Sequence, residues 1–244
     1  MTFSIVARCP ATGRLGVAVA TAVPAVGSLC PFTRPKLGAV STQSWVNPYL
    51  ALGVLDAIAG GATARAALSA VLAEDGAREL RQIGVVDAAG EAGAFTGADC
   101  TPWCGQEIGD GFAVQGNMLT GPEVIDAMVS AFRASDSQPL DERLMRALEA
   151  GDAAGGDRRG RQSASLRVQG EEDYCALDLR VDEHAQPVTE LRRVLEIARL
   201  QLVPFIDGMP RRGHAAGPAP ESVTSMLALA PPDRPGGGGS RRLT

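Results

Sequence analysis

Continuous apolar runs separated by short turns open the chain and predict strands. Residues 2–8 predict one strand, and residues 14–22 predict its hairpin partner across the turn Ala11-Thr12-Gly13. The partner's run at residues 15–20 has no polar side chain, so both faces of this strand are expected to be covered. A third strand, rich in small residues, is predicted at residues 37–44.

Amphipathic helical segments and further strands follow in blocks. Thr120 is expected to cap the third helix with Glu123 closing a capping box, and Gly151 is expected to end the fourth. Helices are predicted at about residues 49–59, 64–73, 120–132, 140–150 and 187–203, and strands at 81–87, 91–96, 112–115, 163–169 and 175–181.

This block order predicts an α+β fold rather than a doubly wound parallel sheet, with two antiparallel sheets stacked between helix layers. Residues 1–208 are expected to form one domain. The composition then shifts to proline and glycine, and residues 209–244 predict a disordered tail. A short helix at residues 222–230 is the alternative within that tail.

Composition narrows the class of protein. Of the 244 residues 45% are hydrophobic but only 4% are aromatic, so the core is expected to consist of Ala, Val, Leu and Ile. The net charge of −5 argues against a nucleic-acid partner. No apolar run approaches the roughly 20 residues that span a bilayer, and no export signal is recognised. A cytoplasmic protein with free cysteines is therefore expected.

No metal or cofactor is expected. The two histidines, His184 and His214, have no neighbouring cysteine in the sequence, and Cys100 and Cys104 are one residue too far apart for a redox C-x-x-C motif.

Thr2 is the most informative candidate for catalysis. If Met1 is removed, which a small second residue permits, Thr2 carries both a hydroxyl and a free α-amine. That amine titrates at about 8, so it can accept the hydroxyl proton near neutral pH. The alternative is an ordinary start of a strand.

Four further polar residues are candidates beside Thr2. Ser4 shares a face of the first strand with Thr2 and either bonds the terminal amine or fills space. Gln43 and Asn47 lie at the end of a predicted strand and suit an amide or carboxylate substrate, although Asn47 fits turn chemistry before a proline equally well. Asn117 suits donation to an oxyanion, with a turn asparagine as the alternative.

The loop at residues 155–163 is the most polar part of the predicted body. Asp157 with Arg158 or Arg159 could anchor a polar substrate group. The alternative is a solvated loop whose surface ion pairs contribute little.

Eleven segments together resemble one bacterial family, the domain-of-unknown-function family 1028. They are residues 2–8, 10–13, 15–19, 42–43, 46–48, 82–87, 94–97, 115–119, 155–157, 178–182 and 187–193. The resemblance covers about residues 2–205 and implies a four-layer αββα sandwich of the N-terminal nucleophile (Ntn) hydrolase-like type. It also implies attack by Thr2 on an amide carbonyl, and it implies no substrate.

These observations predict an amidohydrolase that acts on a small molecule and works as a homodimer or larger homo-oligomer. Thr2 would be nucleophile and base, Asn117 or a backbone amide would stabilise the oxyanion, and Asp157 with Arg158 would orient substrate. The rival hypotheses are a non-catalytic binding module with the same fold, and an enzyme that uses Ser4 or Cys9 as nucleophile.

Overall fold

The computed structural model describes residues 2–215 and 217–242. Two compact units divide the chain; the first ends at Leu191 and the second begins at Arg192. The expectation about removal of Met1 concerns a residue outside the described ranges, as does the tail prediction at residues 216, 243 and 244.

Ten strands form two fully antiparallel sheets within the first unit. They are β1 (Thr2–Arg8), β2 (Leu15–Thr21), β3 (Pro31–Arg34), β4 (Gly38–Ser44), β5 (Arg81–Asp87), β6 (Ala92–Thr96), β7 (Gly105–Gly109), β8 (Phe112–Asn117), β9 (Ser163–Gln169) and β10 (Cys175–Val181). The six-stranded sheet has the order β10-β9-β2-β1-β8-β7, and the four-stranded sheet has the order β3-β4-β5-β6. β1 is therefore a central strand, hydrogen-bonded to β2 on one side and to β8 on the other.

Six α-helices accompany the strands. They are α1 (Pro48–Ala59), α2 (Ala64–Ala73), α3 (Glu123–Arg133), α4 (Leu140–Ala153), α5 (Pro187–Asp207) and α6 (Glu221–Ala228). α1 and α2 pack on the four-stranded sheet, while α3 and α4 pack on the six-stranded sheet. The two sheets also contact each other. The first unit is thus the αββα sandwich that the sequence predicts.

Small apolar side chains fill the space between the sheets, as the low aromatic content requires. Val6 and Val17 of the six-stranded sheet and Ala39 and Val86 of the four-stranded sheet belong to one buried cluster. Because both of their faces are covered, the inner strands β1, β2, β4 and β5 are buried along almost their whole length, whereas the edge strands β7 and β10 alternate between more and less exposed residues.

Two helix-end predictions are wrong. α3 begins at Glu123 without a side-chain cap, and the Thr120 hydroxyl instead donates to the Ala154 carbonyl at 3.5 Å. α4 continues through Gly151 to Ala153. A Cβ at Gly151 would lie 2.8 Å from Met128 Cγ. That glycine serves close packing rather than helix termination.

The second unit contains the rest of α5 and the helix α6, which occupies the segment that the sequence allowed as a short helix. α6 buries Val223 and Met226. The predicted boundary after residue 208 and the predicted disorder beyond it stay predictions. In the part of the chain that the structure describes, no helix combines the length and apolar character that crossing a membrane requires.

Candidate functional site

Thr2 lies at the end of the central strand β1, where the sequence places the candidate nucleophile. Its side chain is buried, and Thr2 Oγ1 donates to Thr21 Oγ1 at 3.2 Å. Thr21 ends β2, and the hairpin register pairs Phe3 with Ala20, so Thr2 and Thr21 face each other at the next position. On the other side Thr2 pairs with Asn117.

A pocket of about 220 Å³ opens beside Thr2. Its polar lining is three hydroxyl residues, Thr2, Thr21 and Ser44. The apolar lining comprises Val23, Val26, Leu29, Cys30, Trp45 and Val46. These residues come from the ends of β1, β2 and β4 and from the segment that joins β2 to β3. Thr2 thus lines a cavity large enough for a small group.

Unusual backbone conformations surround this pocket. Ser44, which lines it, has φ of +68°, and Ala25 in the β2–β3 segment has φ of +56°. Met118, directly after Asn117, has φ of +51°. Non-glycine residues in this region cost about 1–3 kcal/mol each and cluster at functional sites. Their position supports the assignment of this end of the sandwich as the site.

Two buried side chains hold the β2–β3 segment that forms one wall of the pocket. Asp157 Oδ2 accepts from the Ala22 backbone N–H at 3.0 Å. Ser163 Oγ donates to the Val23 carbonyl at 2.6 Å and accepts from the Val26 N–H at 3.1 Å. The wall therefore depends on residues that follow it by more than a hundred positions in the sequence.

Replacing Ser163 with alanine is expected to loosen this wall. The Val23 carbonyl and the Val26 N–H lose their partner, so the free energy of unfolding should fall by about 1–3 kcal/mol. Ser165→Ala is the matched control, because Ser165 lies in the same strand, is equally buried, and its hydroxyl has no hydrogen-bond partner among the described residues. Urea unfolding of both variants checks this; equal losses would show that Ser163 does not hold the wall.

An ion pair holds the opposite wall. Arg81 Nε donates to Asp75 Oδ2 at 2.7 Å, and Arg81 Nη1 donates to the Trp45 carbonyl at 2.7 Å. Both charged side chains are largely buried. The hydrogen bond from Arg81 holds the pKa of the Asp75 carboxyl below its ordinary value. The ionised carboxylate thereby fixes Arg81, and Arg81 fixes the backbone at Trp45.

The effect of Asp75 on stability should depend on pH. Because folding lowers its pKa, its contribution is present above the unfolded value of about 3.9 and is lost as the pH falls through the lower folded value. Asp75→Asn should therefore be less stable than the wild type at pH 7, with the difference shrinking towards pH 3. Urea unfolding at both pH values tests this, and a difference independent of pH would contradict it.

Behind Thr2, five polar side chains form a buried network between the two sheets, here called the amide network: Ser4, Gln43, Gln82, Gln115 and Asn117. Gln115 Nε2 donates to Ser4 Oγ at 2.6 Å, and Ser4 Oγ donates to Gln43 Oε1 at 2.6 Å. Gln82 Oε1 accepts from Gln43 Nε2 and from Asn117 Nδ2, each at 2.8 Å. The network thus connects strands of both sheets.

Gln43 joins the amide network to the candidate nucleophile. Its Nε2 donates to the Thr2 carbonyl at 3.2 Å. Gly84 leaves room for the network, since a Cβ there would lie 2.1 Å from Gln115 Oε1. The structure therefore brings Ser4, Gln43 and Asn117 together around Thr2, but as buried groups outside the described lining of the pocket.

Sequence reasoning missed Gln82 and Gln115 as members of the site. Gln82 pairs directly with Gln43 in the β4–β5 register, and Gln115 pairs with Ser4 in the β1–β8 register. The available signal was a polar residue inside a strand that is otherwise apolar on both faces. Because a buried polar side chain needs a hydrogen-bond partner, polar residues on neighbouring buried strands are expected to bond to each other.

The other predicted substrate contacts lie apart from the pocket lining. Asn47 caps α1, its Oδ1 accepting from the Tyr49 N–H at 3.1 Å, which is the alternative that the sequence allowed. Asp157 pairs with Arg159 at 3.2 Å, whereas Arg158 is exposed at the surface. The substrate-binding roles of Asn47, Asp157 and Arg158 stay predictions.

The rival nucleophiles differ from Thr2 in their surroundings. Ser4 is fully buried in the amide network. Cys9 follows the far end of β1, roughly 20 Å from Thr2 at about 3.3 Å per residue. Burial alone would raise the pKa of the Cys9 thiol, but hydrogen bonds from Thr12 and Ala11 outweigh it and lower the pKa.

Cys30 is the thiol that lies in the pocket itself. Burial raises its pKa to about 12, so the thiol is neutral at pH 7. All five cysteines are free. Within the described ranges, no three His, Cys, Asp or Glu side chains gather closely enough to hold a metal ion.

The fold is an αββα sandwich in which Thr2, at the start of a central strand, lies beside a pocket. The chain belongs to the family of unknown function DUF1028, whose family model matches residues 2–191. The crystal structure of protein SPO2555 from Silicibacter pomeroyi, of the same family, is 30% identical and gives a TM-score of 0.80, covering 86% of this chain and 95% of that chain. The family predicted from the sequence is confirmed.

More distant similarities involve two further solved structures. HslV from Trypanosoma brucei is 12% identical, with a TM-score of 0.44 and coverage of 68% of this chain and 98% of that chain. Anbu, an ancestral beta-subunit, from Yersinia bercovieri is 14% identical, with a TM-score of 0.40 and coverage of 85% and 98%. Neither similarity carries an argument about activity. No curated protein matches the chain.

Proposed function

We propose that this protein is an N-terminal nucleophile amidohydrolase that cleaves a C–N bond of a small molecule. The observation that carries the proposal is the position of Thr2, which is the first residue of the central strand β1, contacts Thr21 and lines a pocket of about 220 Å³. A rigid strand end holds a reacting group more accurately than a loop would.

The proposed reaction begins once Thr2 is the first residue. Thr2 Oγ1 attacks the amide carbonyl carbon while the α-amine accepts the hydroxyl proton. The tetrahedral intermediate collapses by breaking the C–N bond, and the ammonium returns its proton to the leaving nitrogen. Water then attacks the resulting ester while the amine accepts a proton from it. The C–Oγ1 bond breaks, and the ammonium returns that proton to Thr2 Oγ1, which restores the hydroxyl and the free amine. The net products are an acid and an amine.

The oxyanion would be stabilised by a backbone amide rather than by Asn117. Asn117 Nδ2 already donates to Gln82 Oε1 and is buried away from the pocket lining. Val46 lines the pocket, and its backbone N–H has no acceptor among the described residues. A donor that is free before substrate binds is suited to a developing negative charge.

The remaining predicted residues then have positioning roles. Ser4 and Gln43 would fix the Thr2 backbone through the amide network, and Asp157 would fix the pocket wall at Ala22. Asn47 and Arg158 remain candidates for contact with parts of a substrate outside the pocket. The homo-oligomer and the cytoplasmic location stay predictions.

Two forms of the same chain test the proposal. One form starts at Met1 and the other at Thr2, each released from a cleavable N-terminal fusion and verified by intact mass. We expect only the Thr2 form to hydrolyse members of a panel of small amides, ureas and lactams, because Met1 blocks the amine that serves as base. Equal activity of both forms would exclude the Thr2 amine, and inactivity of both would favour the binding module.

A further inference from the structure

Resting on the proposed function, we propose that the pocket beside Thr2 accepts a small, uncharged, apolar acyl side chain and rejects charged ones. The substrate would then be an amide of a short aliphatic acid, bound with its acyl chain in the pocket and its nitrogen towards solvent.

The described lining of the pocket carries no charged side chain. Apart from three hydroxyls, it is aliphatic, aromatic or thiol. Cys30 adds no charge, because burial keeps its thiol protonated at neutral pH. A carboxylate or ammonium group entering this space would lose its hydration without gaining a partner, which costs several kcal/mol.

The charged groups behind the walls are already paired. Asp157 bonds the Ala22 N–H and pairs with Arg159. Arg81 bonds the Trp45 carbonyl and pairs with Asp75. Turning any of these side chains towards a charged ligand would break a bond that holds a pocket wall, so none of them is a ready counter-ion for the end of an acyl chain in the pocket.

The size and the rim of the pocket also favour a short aliphatic chain. The volume of about 220 Å³ lies below the roughly 300–1,000 Å³ of pockets for drug-sized molecules, so only a short chain fits. Val23, Leu29 and Trp45 are among the exposed hydrophobic side chains and also line the pocket, so its apolar character extends to the surface. A short aliphatic chain matches both features.

Alkylboronic acids provide probes that do not depend on turnover. The Thr2 Oγ1 lone pair adds to the empty orbital of boron, the α-amine accepts the hydroxyl proton, and the boron substituent takes the place of the acyl side chain. Four probes are compared by calorimetry on the form that starts at Thr2: methylboronic, propylboronic, 2-carboxyethylboronic and 3-aminopropylboronic acid. Binding of methylboronic acid reports on the bond to Thr2 Oγ1 alone. The other three probes carry longer chains, which differ from one another mainly in the charge at their end.

Propylboronic acid is expected to bind at least about tenfold more tightly than either charged probe. Charged probes that bind as tightly as propyl, or a propyl probe weaker than methyl, would overturn the inference while leaving Thr2 as nucleophile. If even methylboronic acid fails to bind, the proposed function fails and this inference fails with it.

A charge-introducing variant sharpens the test. Leu29 lines the pocket and is 42% exposed, so Leu29→Lys should fold and bring a cation to the rim. 2-Carboxyethylboronic acid should then gain at least about tenfold in affinity, since a partly desolvated ion pair replaces an unpaired charge. Ile108→Lys is the matched control, being 44% exposed and outside the pocket lining. Equal gains in both variants would contradict the proposed location.

Discussion

Thr2→Ala is expected to reduce amide hydrolysis by at least about 10³-fold, because the reaction loses its nucleophile while the α-amine remains. The substitution leaves a small second residue, so removal of Met1 is expected to proceed as in the wild type. kcat and kcat/KM should fall together on any amide that the panel identifies.

Two companion variants separate chemistry from structure. Thr2→Ser keeps a hydroxyl and an α-amine and should retain most of the activity that Thr2→Ala loses. Thr21→Val removes the hydroxyl that Thr2 Oγ1 contacts and should lower kcat by less than the loss of the nucleophile. Circular dichroism and urea unfolding report whether each variant folds. A folded Thr2→Ala protein with full activity would eliminate Thr2 as the nucleophile.

The strands around Thr2 were predictable because their pattern is local. The hairpin of residues 2–8 and 14–22 follows from two apolar runs and a turn, and β1 and β2 occupy nearly those bounds. The same register places Thr21 opposite Thr2, so the contact between these two threonines could have been predicted from the sequence. β3 and β7 were missed, since each is short and lies at the edge of its sheet.

The pocket wall could not be predicted, because distant residues hold it. Residues 22–30 form loop and a single 3-10 turn at Val26–Ser28, with no periodic pattern. Their course depends on hydrogen bonds to Asp157 and Ser163, which lie more than a hundred positions away in the sequence. The pairing of Asp157 with Arg159 rather than Arg158 likewise depends on loop geometry that neighbouring arginines in a sequence do not reveal.

Gln82→Met is expected to lower the free energy of unfolding by about 3 kcal/mol or more, because it removes a buried amide that bonds Gln43, Asn117 and the Gly116 carbonyl. Gln82 Oε1 accepts from both Gln43 and Asn117, and its Nε2 donates to the Gly116 carbonyl at 2.8 Å. Methionine has a similar shape but can neither accept these two bonds nor donate the third. The Asn117 amide and the Gly116 carbonyl would each lose this buried bond at a cost of about 1–3 kcal/mol, while Gln43 Nε2 would keep its bond to the Thr2 carbonyl.

Gln106→Met is the matched control, because Gln106 makes hydrogen bonds to Thr96 and to the Ala94 carbonyl at the protein surface. Water replaces those bonds, so its loss should stay within about 0.5 kcal/mol. Urea unfolding at pH 7 compares the two variants. Since Gln43 connects Gln82 to the Thr2 carbonyl, Gln82→Met should also lower kcat in the fraction that remains folded. Equal stability of the two variants would mean that the sheets adjust around the lost amide, and that the amide network does not position Thr2.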